Sequence, residues 1–245
     1  MKKRILSILL CLALCLALLP AAAFAADKYL PVLGVTFTDT TPSDSWWGSG
    51  GGTISWDLDT RTLTLNNFSD KYLNNSIVFE CDATIALVGS NSFAPNGFQT
   101  SSSSIPESLI KVTAGHTVTV TGPEGSGLTI IAKTFNTTAT YFSAWDGNIC
   151  VGTGSDAPVV TITGQGGGGS GGGMRSITAQ TVTLKSGDLT CKTQRSDNNT
   201  FTDSTYGIYC DNLIVTGGNL YATDIAFSPK ESIGIRCTSG VNIIN

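Results

Sequence analysis

The sequence predicts an all-β fold, a right-handed parallel β-helix, and three observations predict it. A short strand–turn–strand unit recurs along the chain, and its strands alternate apolar with polar residues. After the first 25 residues no stretch carries helical periodicity, while Gly, Ser, Thr, Asn and β-branched residues abound and only 13% of the chain is charged.

The clearest repeat sets Ala179–Cys191 against Cys210–Ala222, without a gap, at an offset of 31 residues. Val182 matches Leu213, Leu184 matches Val215, Gly187 matches Gly218 and Leu189 matches Leu220, with Asp188 and Asn219 at one turn position. Looser copies run over Ser76–Gly89, Leu109–Gly122, Pro158–Gly164 and Ile233–Ile244. Taken at Leu87, Val120, Ile162, Leu184, Val215 and Ile243, the steps are 33, 42, 22, 31 and 28 residues. Constant strands with variable intervals suit a solenoid whose coils bury their inner faces against their neighbours. The variable intervals become loops, whose closure entropy grows only slowly with length. A β-sandwich is the alternative, but it does not require successive strands to match at their turn residues.

Gly207–Gly218 and Thr84–Asn91 resemble the repeats of right-handed β-helix surface proteins of Gram-positive, clostridia-like bacteria. One branch of that family is pectate-lyase-like in shape and carbohydrate-binding, and the resemblance covers roughly residues 53–245. It implies a surface location, polysaccharide as a partner, and calcium bound by loop carboxylates and carbonyls.

The start of the chain reads as a cleaved signal peptide, residues 1–25. Lys2, Lys3 and Arg4 precede an apolar run from Ile5 to Leu19, then Pro20 and the small-residue site Ala23-Phe24-Ala25. That run is shorter than the roughly 20 residues of a membrane span, so secretion or display at the cell surface is expected, without membrane insertion after cleavage. Removing the leader's three basic residues leaves eleven against eighteen acidic ones, a net charge of −7. Nucleic acid, which demands a basic footprint, is excluded on that ground.

Residues 26–75 are expected to cap the open N-terminal end, covering an otherwise unpaired edge. Thr53–Asn67 alternates on both sides of a turn at Asp57–Arg61, as a hairpin does, and Tyr29–Phe37 with Trp46 and Trp47 supplies the cover. Residues 76–245 form the coils. Asn245 arrives mid-coil with no capping segment, so further C-terminal modules are expected. The run Gly164–Arg175 contains eight glycines in twelve residues. It reads as a loop within one solenoid, because strands of the same repeat flank it. No Lys-Ser/Thr follows it, so it does not fit a phosphate loop.

Little in the sequence suggests catalysis. Cys81, Cys191 and Cys210 match Ala114, Ala222 and Ala179 in the repeat, which favours buried packing over a disulfide framework. His116, the single histidine, falls at a turn, and no Gly-x-Ser-x-Gly motif has a partner for it. A polysaccharide lyase or glycosidase needs carboxylates converging on a cleft, and the basic residues Arg61, Arg175, Arg195 and Arg236 fall in no recognisable cluster with acids. Calcium has weak candidates in Asp156, within a Gly-x-Gly-x-Asp turn, and in Asp57 and Asp59. Calcium takes six to eight oxygens, so a solvated turn is preferred at each. Non-catalytic polysaccharide binding is the leading expectation, with Trp145, Tyr206, Tyr209, Trp46 and Trp47 as candidate contacts, since aromatic rings stack on the apolar faces of sugars. For Trp46 and Trp47, packing in the cap is preferred. The other reading is a surface stalk or adhesin repeat without glycan specificity.

Overall fold

The computed structural model describes residues 34–70, 76–98, 108–134, 139–166, 174–195, 204–225 and 232–243. The expected leader, residues 1–25, lies outside them. The described residues form a parallel β-solenoid in which each coil passes through three stacked ladders.

The first ladder runs through β1 (Val35–Phe37), β5 (Ile77–Phe79) and β8 (Ile110–Val112). It continues through the leading halves of β11 (Ala139–Val151), β13 (Met174–Leu184), β15 (Thr205–Val215) and β17 (Ser232–Ile243). The second ladder joins β4 (Thr62–Asp70), β6 (Ala83–Val88) and β9 (Thr117–Thr121) to the trailing halves of those same four strands. The third ladder starts at the end of β4. It then takes β7 (Ser90–Phe98), β10 (Gly127–Thr134), β12 (Val159–Gly166), β14 (Asp188–Arg195) and β16 (Asn219–Ile225).

Alternation accounts for the interior. In the second ladder Leu63, Ile85, Val120, Val151, Leu184 and Val215 stand in register and point inward. All but Val215 are buried to within 1% of full exclusion. Burial of each such side chain stabilises by about 1.5–3 kcal/mol, and register is held because a one-residue slip would turn the whole row to solvent. Asn91 is a polar member of the interior. Its Oδ1 accepts from Phe68 N at 2.8 Å and its Nδ2 donates to Gly127 O at 3.1 Å, tying three coils together.

The 31-residue repeat holds residue for residue. Val182 pairs with Leu213, Leu184 with Val215, Asp188 with Asn219 and Cys191 with Ala222. The looser alignment needs two corrections. Ile77 pairs with Ile110 as expected, but one ladder later Val120 pairs with Ile85 rather than Leu87, because the turn after β8 is two residues longer. Ile162 belongs to the third ladder, so its step of 22 residues to Leu184 crosses between ladders. The second-ladder partner of Leu184 is Val151. An isolated strand pattern cannot say which face of a coil it forms, since all three faces bury alternate residues alike.

The glycine run therefore spans the passage from β12 on the third ladder to β13 on the first. Residues 167–173 lie outside the described residues. The ladders continue on both sides, β10 to β12 to β14 and β11 to β13 to β15.

At the N-terminal end β2 (Asp44–Trp47) and β3 (Gly51–Asp57) form an antiparallel meander with β4. The turn falls at residues 58–61, where Asp57 Oδ1 accepts from Thr60 N at 3.2 Å. β4 is the junction: antiparallel to β3 on one edge, parallel to β6 on the other. Trp46 and Trp56 fold over Phe37, the first aromatic of the first ladder, at 6.1 and 4.6 Å between ring centroids. Trp56 Nε1 donates to Thr41 O at 3.0 Å, so its polar edge is satisfied while its ring is buried.

Candidate functional site

The outer face of the first ladder carries the most developed surface site. In β13 and β15 the repeat sets Arg175 beside Tyr206 and Thr178 beside Tyr209. Trp145 follows Ala144 where β11 turns from the first ladder to the second, and a register shift between Ala144 and Asn148 throws its ring outward. These residues converge. Trp145 and Tyr209 are 5.9 Å apart, and Tyr206 and Tyr209 are 5.3 Å apart, both pairs tilted.

Arg175 packs into this group. Its guanidinium carbon lies 4.8 Å from the Trp145 ring centroid, 4.7 Å from Tyr209 and 5.5 Å from Tyr206. Each such contact contributes about 0.5–2 kcal/mol, more as water is excluded. From the next coil Arg236 approaches Tyr206 at 5.8 Å and donates from Nη1 to its hydroxyl at 3.2 Å. The aromatic cluster thus holds two cations at the solenoid surface.

Next to it lies a pocket of about 340 Å³ lined by Ser76, Ser108, Lys111, Thr140, Ser143, Trp145 and Arg175. The ladder explains its composition. Lys111 pairs with Ser143, and Ser143 with Thr178, so outward positions of successive coils form one polar row. Lys111 stands two strands from Thr178, and Arg175 lies three residues along β13 from there, beside Thr140. Thr140 and Thr178 hydroxyls lie 3.4 Å apart and Ser76 donates to the Ser108 carbonyl, which orients the floor.

The expected aromatic residues separate into three groups. Trp145 is 53% exposed and forms the rim of the pocket. Tyr209 is half-buried, and Tyr206, 5% exposed, supports Arg175 and Arg236 from beneath. Trp46 is buried in the cap, whereas its neighbour Trp47 is 50% exposed on the far end of the molecule. The structure brings Trp145, Tyr206 and Tyr209 together and leaves Trp46 and Trp47 apart. Arg175, Arg236 and Lys111 were not among the expected site residues. Extending the gapless repeat four residues upstream sets Arg175 against Tyr206, which is the signal that finds the first of them.

The calcium candidates have other occupations. Asp156 Oδ1 accepts from Thr153 N at 2.6 Å, Thr153 Oγ1 at 3.0 Å and Ser186 Oγ at 2.6 Å, and Oδ2 accepts from Gly122 N at 3.3 Å. Burial raises its pKa, but these bonds together outweigh burial and hold the carboxyl below its ordinary value. Its neighbours are hydrogen-bond donors, which suit an anion and not a cation's coordination shell. Asp57 and Asp59 are exposed turn residues. Among the described residues no group of three or more His, Cys, Asp or Glu side chains gathers to hold a metal. His116 sits at its turn, half-exposed, with Nδ1 3.6 Å from Asp82.

Fold and surface together define a parallel β-solenoid with a cation-bearing aromatic cluster beside a hydroxyl-lined pocket. No protein-family model, no curated protein and no solved structure matches the chain.

Proposed function

We propose that this chain is an exported or cell-surface β-solenoid that binds polysaccharide without turning it over, using the first-ladder face from β8 to β15. The observation that carries this reading is the joining of an exposed Trp145 ring to a pocket lined by serine and threonine hydroxyls. A sugar ring can stack its C–H face on the indole while its hydroxyls bond to Ser76, Ser108, Thr140 and Ser143. Lys111 and Arg175 line the same pocket, and no carboxylate does among the described residues. The complementary ligand is a glycan bearing acidic groups, because a guanidinium pairs with a carboxylate or sulfate in a bidentate way. Tyr206 and Tyr209 keep Arg175 in place, so the site is preorganised and loses little side-chain entropy on binding. The resemblance to carbohydrate-binding, pectate-lyase-like surface proteins of Gram-positive bacteria supports the same reading.

The test is an array of immobilised polyuronates, sulfated glycans and neutral glucans probed with the purified protein. Retention on acidic polysaccharide, lost in Trp145→Ala and in Arg175→Ala at a temperature where a melting curve shows each variant still folded, is the expected result. A blank array would favour a structural stalk. Release of unsaturated sugars would show a lyase instead.

A further inference from the structure

We propose that Cys210 and Cys237 are a disulfide site, oxidised by thiol–disulfide exchange so that β17 is bonded covalently to β15. The two residues are direct partners in the first ladder and both face the interior. Their sulfurs stand 3.5 Å apart. Neighbouring strands are about 4.7–4.9 Å apart, inside the roughly 4.4–6.8 Å window of Cα separations that a disulfide spans. Closing the bond therefore needs the sulfurs to approach by rotation of the side chains, with no movement of the strands.

The other described cysteines have no such neighbour. Cys191 stands between Ile162 and Ala222 in its ladder, Cys150 turns its sulfur to Gly152 O, and Cys81 turns its own to Phe37 O. In the two coils just before the pair, the same row holds Ala144 and Ala179, and among the described residues two adjacent thiols meet only at β15 and β17. The burial of the two thiols differs in a useful way. Cys237 is half-buried and open to a reagent, whereas Cys210 is fully excluded from solvent. Burial, with the hydrogen bond to Cys237 adding to it, pushes the Cys210 thiol far up from its ordinary value, which makes it the poorer first nucleophile.

The order of steps follows. The Cys237 thiolate attacks one sulfur of a low-molecular-weight disulfide, such as glutathione disulfide, and expels the other half as a thiolate. Cys210 then attacks the Cys237 sulfur and expels the second half. Two S–H bonds of the protein are replaced by one S–S bond, the reagent's S–S bond is reduced to two thiols, and the two protons pass to the departing thiolates. The product locks the register that places Arg236 beside Tyr209 and under Tyr206.

The experiment uses the purified full-length chain, reduced and then exposed to glutathione disulfide under native conditions. Expected are the loss of two titratable thiols, a mass loss of two hydrogens, and a proteolytic peptide pair joining Cys210 to Cys237. The melting midpoint should rise by about 5 °C or more and fall back on reduction. Cys237→Ala and Cys210→Ala, which copy the alanines of the two preceding coils, should each remain folded. Both should lose the two-hydrogen mass change, the joined peptide pair and the rise in melting midpoint, with Cys210→Ala trapping Cys237 as the mixed disulfide with glutathione. Retention of every thiol at equilibrium overturns the proposal. So does a bond to Cys191, or one between two chains.

Discussion

The guanidinium of Arg175 packs against both the Trp145 and Tyr209 rings, 4.8 Å from one centroid and 4.7 Å from the other, although thirty residues separate Trp145 from Arg175. The contact joins two neighbouring coils on the outer face, so it can be altered without opening the core. Arg175→Ala should weaken binding to acidic polysaccharide at least tenfold, and Arg175→Lys should restore only part of it. Lysine keeps the charge but has no planar fork to stack on the rings. Titration calorimetry against a polyuronate, with a melting curve for each variant, checks both statements.

Asp156 joins the corner turns of three successive coils through Gly122, Thr153 and Ser186. Because its folded pKa is held below the unfolded value, its contribution is fully present above the unfolded pKa. It is lost as pH falls through the folded pKa. Stability should therefore drop below about pH 4, and Asp156→Asn should flatten that part of the profile. Loss of the charge-assisted bonds should cost about 1.5–3 kcal/mol at neutral pH. Urea unfolding followed between pH 3 and 7 reads both effects.

Gly187 and Gly115 both have positive φ, 77° and 79°, but their surroundings differ. A Cβ on Gly187 would stand 2.1 Å from Pro158 O, whereas nothing lies within 4 Å of one on Gly115. Gly115→Ala should cost about 1 kcal/mol through backbone strain alone. Gly187→Ala should cost several times that and slow recovery of soluble protein. Comparing the two by chemical denaturation separates backbone conformation from close approach.

Trp56 covers Phe37 and Phe79 at the N-terminal end, with centroids at 4.6 and 6.4 Å. Trp56→Ala should destabilise by about 3–5 kcal/mol and expose the first strands of the ladders. Trp47→Ala, an exposed position on the neighbouring cap strand β2, should change stability by less than about 0.5 kcal/mol. Hydrogen exchange at β1 and β5 would resolve the two cases.

Much of this architecture was legible in one dimension. The gapless match of residues 179–191 with residues 210–222 set the pairing of two coils to the residue, because a parallel ladder stacks equivalent positions directly. The hairpin about Asp57–Arg61 was legible from alternation and turn chemistry. Cysteine exchanging with alanine marked interior positions, and Cys191 and Cys210 are buried there. The site was half legible. Trp145, Tyr206 and Tyr209 stood out as aromatic residues beyond the predicted interior, but their meeting did not.

What the sequence determined by itself is periodic: strand alternation, turn glycines and the repeat that stacks one coil on the next. These are set by backbone geometry and by burial of every second residue, which local pattern encodes. What only the tertiary structure decided is the assignment of strands to three faces and the contacts made around corners. Ile162 could not be assigned to the third ladder from its pattern, because each face buries the same kind of residue. Arg175 could not be seen among the rings, because its place depends on where β11 bulges and turns Trp145 outward. Cys237 came to stand 3.5 Å from Cys210 because a shift of register between Cys210 and Asn212 fixes which residues of the last strand meet.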